Sequence, residues 1–113
     1  MGWDAYAVGY VETLHQKDFD KAIKRILRKG QYADAGLTQG YLDCTPCAKA
    51  MEEITGVTSY GEGYSHQSLL YIEDKINRAK HEPDSEVELW AFYSAQEFLK
   101  ICIKHKLGIK FSW

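Results

Sequence analysis

No apolar run in this sequence is long enough to span a membrane, and its N-terminus lacks the basic and apolar regions of a signal peptide. Both absences predict a cytoplasmic protein. Charge of one sign is lacking too: the formal net charge is -2, which argues against a protein that lives mainly on nucleic acid but leaves room for a local basic face. Cysteine is scarce and odd in number. Three thiols cannot all pair, so the count predicts reduced cysteines or a metal rather than a disulfide framework. There is no phosphate-loop GK[ST], and Gly61-Glu-Gly63 lacks the remaining glycine and the preceding strand of a dinucleotide fingerprint. Pairs such as Glu62 with His66 occur, as in any chain of this size, but no catalytic constellation of nucleophile and base or of paired carboxylates rises above background. The acidic run Glu82, Asp84, Glu86 and Glu88 reads as helix-end electrostatics.

What is present is one domain's worth of ordinary globular composition, 113 residues with 45% hydrophobic and 27% charged side chains. The chain is organised around its last third, Asp84 to Lys106. At helical spacing Val87, Trp90, Ala91, Ser94, Phe98, Ile101, Cys102 and His105 form one stripe, with Leu89, Phe92, Leu99 and Ile103 beside it. Only a narrow strip with Glu97, Lys100 and Lys104 stays polar. Such a helix must be surrounded, so it is read as the central core helix, with Gly108 as its left-handed stop.

The residues from Gly2 to Tyr10 alternate, as do Ile109 to Trp113, and the two ends are expected to pair as a small sheet. Asp18 to Lys29 reads as the first helix, capped by Asp18 or Asp20, with Phe19, Ile23, Ile26 and Leu27 inward and Gly30 at its end. Gly30 to Asp43 and Gly56 to Tyr64 read as loops. Between them Thr45-Pro46 opens a helix through Ile54, and Ser65 caps a further helix to about Lys80 with Leu69, Ile72, Ile76 and Ala79 buried. The expected architecture is a single α+β, mainly α domain over residues 1–113. About four helices pack around the C-terminal one, with a small sheet formed by the N- and C-terminal strands.

Three groups of residues carry candidate chemistry. Cys44 and Cys47 form C-x2-C, and Cys102 and His105 form C-x2-H. Together they are a four-donor set of the structural zinc type, with no thiol left over. The competing reading makes Cys102 and His105 ordinary core residues. A second alternative makes Cys44 and Cys47, at a helix N-terminus, the dithiol of a small thiol-disulfide oxidoreductase. The loop with Tyr60, Tyr64 and His66 offers stacking faces at a helix start, which suits a nucleotide or small anionic metabolite; the plainer reading has these tyrosines covering the edge of the core. Finally, Lys21, Lys24, Arg25 and Arg28, with Lys17 and Lys29, make the first helix basic on one face, suited to an acidic protein surface or simply solvated.

The opening Met1-Gly-Trp-Asp-Ala-Tyr6 and the ending Phe98-Leu-Lys-Ile-Cys102 with Gly108-Ile-Lys-Phe-Ser-Trp113 resemble small uncharacterised proteins encoded by phages and prophages. That resemblance brings no site residues with it. It implies a compact protein that binds a host protein, a defence component or a signalling nucleotide rather than turning over substrate. The expected function is therefore a non-enzymatic binding protein with a protein partner, stabilised by zinc if the four donors converge. Nucleic acid and membrane are disfavoured as partners, and a homodimer is compatible with the aromatic ends.

Overall fold

A computed structural model describes residues 3–30, 36–43, 45–56 and 61–112. In chain order the elements are β1 (Asp4–Val8), α1 (Glu12–Gly30), β2 (Tyr41–Asp43), α2 (Thr45–Thr55), β3 (Gly63–Tyr64), α3 (His66–Tyr71), α4 (Glu73–Arg78), α5 (Leu89–Lys104) and β4 (Gly108–Ser112). The fold is α+β and mainly helical, with the terminal strands paired and the last helix at the centre, as the sequence leads one to expect. Among the described residues no helix is long and apolar enough to cross a membrane.

The sheet runs β2-β1-β4-β3 with every neighbour antiparallel. Its register follows from alternation. Ala5 pairs with Phe111 and Ala7 with Ile109, and all four side chains turn inward, while Tyr6, Val8, Lys110 and Ser112 face outward. β3 joins through Gly63, whose φ is +135° and whose position lies so close to β4 that a Cβ there would sit 2.0 Å from the Ile109 carbonyl oxygen. Only glycine fits such a backbone at that distance.

α5 buries ten side chains, among them Phe92, Phe98, Leu99 and Cys102, and both α1 and α2 pack against it. Full burial of each large apolar side chain contributes about 1.5–3 kcal/mol, which is why this helix holds the rest together. Its polar core residues are satisfied. Ser94 donates to the Trp90 carbonyl at 2.7 Å and accepts from the Gly36 amide, while the Gln96 amide donates to the carbonyls of Ile76 and Ala79 at 3.0 Å each, tying the end of α4 to α5.

Several boundaries differ from the sequence reading. α1 starts at Glu12 rather than at Asp18, because the Val11 amide donates to Nδ1 of His15 at 2.8 Å and the cap therefore comes from an imidazole one turn ahead. The helix expected over 65–80 breaks at Ile72 (φ -109°, ψ 15°) into α3 and α4. α5 begins at Leu89 instead of Asp84. Before it, the Ser85 hydroxyl donates to both carboxylate oxygens of Glu53 at 2.9 Å and accepts from the Val87 amide. The two expected loops hold β2 and β3. The left-handed residue ending α5 is Lys106 (φ 58°), where the Leu107 amide reaches back to the Cys102 carbonyl and the Lys106 amide to that of Ile103; Gly108 belongs to β4.

Candidate functional site

A concentration of charge of both signs lies where α1 crosses α5. Helical spacing brings Asp18, Lys21 and Arg25 of α1 to one edge, and Glu97, Lys100 and Lys104, the polar strip of α5, to the facing edge. With Ile101 these six line a groove of about 520 Å³. Two ion pairs cross it. Arg25 reaches Glu97 at 2.6 Å, and Lys104 reaches Asp18 at 3.0 Å. Asp18 and Arg25 are two helical turns apart, as are Lys104 and Glu97, so the pairs form the outer rungs of a ladder between antiparallel helices.

The middle rung is different. Lys21 and Lys100 lie between the two bridges, and among the described residues neither takes part in an ion pair or a side-chain hydrogen bond. Each outer bridge neutralises itself. The two lysines are therefore a net positive centre flanked by neutral clips.

At the Asp18 end the ladder continues into a cluster of imidazoles. His105 Nε2 lies 2.5 Å from the same Asp18 oxygen that takes Lys104, and the His15 and His105 rings are 4.7 Å apart. The hydrogen bond from His105, then that from Lys104, holds the Asp18 carboxyl below its ordinary range. His15 is buried, and desolvation followed by the neighbouring His105 pushes its pKa down. At the other end the Glu97 hydrogen bond raises the Arg25 pKa. The Tyr10 hydroxyl bonds Gln16, and its ring lies edge-on to Phe19, which fixes the start of α1 beside this cluster.

Of the residues singled out from sequence, Lys21 and Arg25 converge on the groove, while Lys24 and Arg28 stay on the exposed face of α1. Three of the four proposed zinc donors, Cys47, Cys102 and His105, lie among the described residues. Cys47, at the first turn of α2, is disulfide-bonded, against the expectation of reduced thiols. Cys102 is a free thiol that burial pushes far above its ordinary pKa, and His105 is engaged with Asp18. Among the described residues no three His, Cys, Asp or Glu side chains are arranged to hold a metal, and Cys44 lies outside them.

The tyrosine loop divides as well. Tyr60 lies outside the described residues. The Tyr64 hydroxyl donates to Thr55 Oγ1 at 3.0 Å, and its ring packs edge-on against Phe111 at 5.7 Å, so it serves the core rather than a pocket. His66 opens α3, with Nδ1 buried and without a hydrogen-bond partner among the described residues.

Sequence reasoning missed His15, Asp18, Glu97 and Lys104 as parts of one site. The signal was present in two halves: a basic stripe on one helix and a polar strip on an otherwise apolar one. No protein-family model, curated protein or solved structure matches this chain.

Proposed function

We propose that the chain is a non-enzymatic binding protein that docks an acidic protein partner against α1 and the facing strip of α5. The observation that carries this reading is the gathering of α1 cations with Lys100 and Lys104 across one groove, in a chain whose formal charge is -2. A positive face on a slightly acidic protein steers a negative partner and sets its orientation. Lys24 and Arg28 extend the face outward from the groove. The resemblance of the chain ends to phage and prophage proteins fits a partner in a host or its defences.

Placing a photo-crosslinker at position 24 in cells tests the reading. A discrete adduct that fades with salt and is lost in Lys21→Glu/Arg28→Glu supports it. Adducts that ignore the charge reversal sink it.

One observation favours a second reading. Cys47 is disulfide-bonded in the first turn of α2, and the sequence makes it the second cysteine of a C-x2-C motif, the pattern a thiol-disulfide oxidoreductase uses. Insulin reduction that disappears in Cys44→Ser would establish it, whereas thiol turnover no faster than that of a denatured control would remove it.

A further inference from the structure

We propose that the middle rung of the α1–α5 ladder, Lys21 with Lys100, is a binding site for a single phosphate monoester. The inference rests on the docking reading and names the group that the partner inserts.

Three features of the groove lead there. First, the two outer rungs are already complete, so the charge left to neutralise is that of two ammonium groups on facing helices. A phosphate monoester carries a charge of about -1.5 to -2 near neutral pH and has three acceptor oxygens, enough to bond both lysines at once. A single carboxylate brings half that charge. Second, the room is adequate, because a groove of about 520 Å³ admits a phosphate together with the side chain or small molecule that bears it. Third, the carboxylates of Asp18 and Glu97 stand one at each end. Each is already neutralised by its own ion pair, so the uncompensated positive charge spans one phosphate rather than the successive phosphates of a polynucleotide. The same ends offer help. Lys104 is mostly exposed and Arg25 nearly half so, and each can share a donor with an anion seated between them without abandoning its partner.

Phosphate in this setting has two sources, a phosphorylated side chain on a protein and a free phosphorylated metabolite. Titration at constant ionic strength, followed by backbone amide shifts, separates them. The probes are inorganic phosphate, phenyl phosphate, a phosphoserine peptide and its unphosphorylated parent, with chloride as control.

Phosphate is expected to give saturable shifts confined to the residues around 18–25 and 97–104. Lys21→Gln/Lys100→Gln should weaken binding roughly tenfold or more. Lys110→Gln, which removes a charge on the outward face of β4 away from the groove, should leave it within about twofold. A phosphopeptide that binds more tightly than phenyl phosphate assigns the source to a protein, and equal affinities assign it to a small molecule.

Equal responses to chloride and phosphate, or phosphate shifts that persist in the double variant, overturn the inference. So does the absence of any saturable shift. If an acidic peptide without phosphate binds the groove while every phosphate probe fails, this inference falls and the docking reading stands. The two lysines are exposed or half-exposed, so their glutamine variants are expected to fold, and an unchanged amide spectrum outside the groove confirms that they do.

Discussion

Asp18 reaches from the second turn of α1 to His105 at the C-cap of α5, where 2.5 Å separates the carboxylate from the imidazole Nε2, and the same oxygen takes Lys104. One acidic side chain thus fastens the last turn of the central helix to its neighbour. Asp18→Asn is expected to cost about 1 kcal/mol, modest because solvent reaches the pair. The sign with pH is fixed. Asp18 titrates below its ordinary value when folded, so its contribution is full above about pH 4 and is lost as pH falls through the lower folded value. Urea unfolding of both proteins across pH 2–7 should show the gap closing only at the acid end; a gap independent of pH would mean the bond does not stabilise the fold.

His15 has a depressed pKa and, in its neutral form, accepts the Val11 amide at the start of α1. As pH falls below about 6.5, the unfolded chain takes up a proton before the folded one does. The stabilisation from neutral His15 is therefore present above that value and lost as pH drops through the folded pKa. Hydrogen exchange at the Val11 amide, corrected for intrinsic rates, should lose protection on acidification. Protection that is unchanged while His15 titrates would show that the imidazole does not hold this helix end.

Lys106 adopts a left-handed backbone, a conformation that disfavours any side chain with a Cβ. Lys106→Gly is expected to stabilise the protein by about 0.5–1 kcal/mol, read as a higher denaturant midpoint with an unchanged slope. No gain would indicate that the lysine side chain itself contributes to the helix end.

Gly63 offers the opposite case. Its φ of +135° and the 2.0 Å approach to Ile109 oxygen leave no space for even a methyl group. Gly63→Ala should cost about 2 kcal/mol or more and release β3 from β4. Retained exchange protection in that variant at the Phe111 amide, which donates to the Glu62 carbonyl on the β3 side, would contradict it.

The parts of the fold that could be read in the sequence are those where one periodicity dominates. The apolar circumference of α5 demanded a central position, and the alternation of Ala5, Tyr6 and Ala7 against Ile109, Lys110 and Phe111 specified both pairing and facing. The start of α1 was not legible because its cap is His15, reached from inside the helix, rather than a Ser, Thr or Asp in front of it. β2 and β3 are only three and two residues long, too short for alternation to register. The groove was legible by halves. Lys21 and Arg25 were visible as a basic stripe, and Lys100 as a polar interruption, but which face of α1 meets which strip of α5 is set by packing across most of the chain's length. The odd cysteine count misled for a simple reason, since parity forbids complete pairing but does not forbid one pair.

β4 lies inside the sheet, between β1 and β3, and pairs along its whole length with the strand nearest the N-terminus. During synthesis β1 is made before β4 and has only three residues of β2 to pair with until residues 108–112 have been made. Sheet formation is thus a high-contact-order event that must close the loop between Val8 and Gly108. A stalled ribosome lacking that last strand would hold α1 and α2 with an unfilled slot down the middle of the sheet, the form most exposed to proteolysis and to pairing with foreign strands.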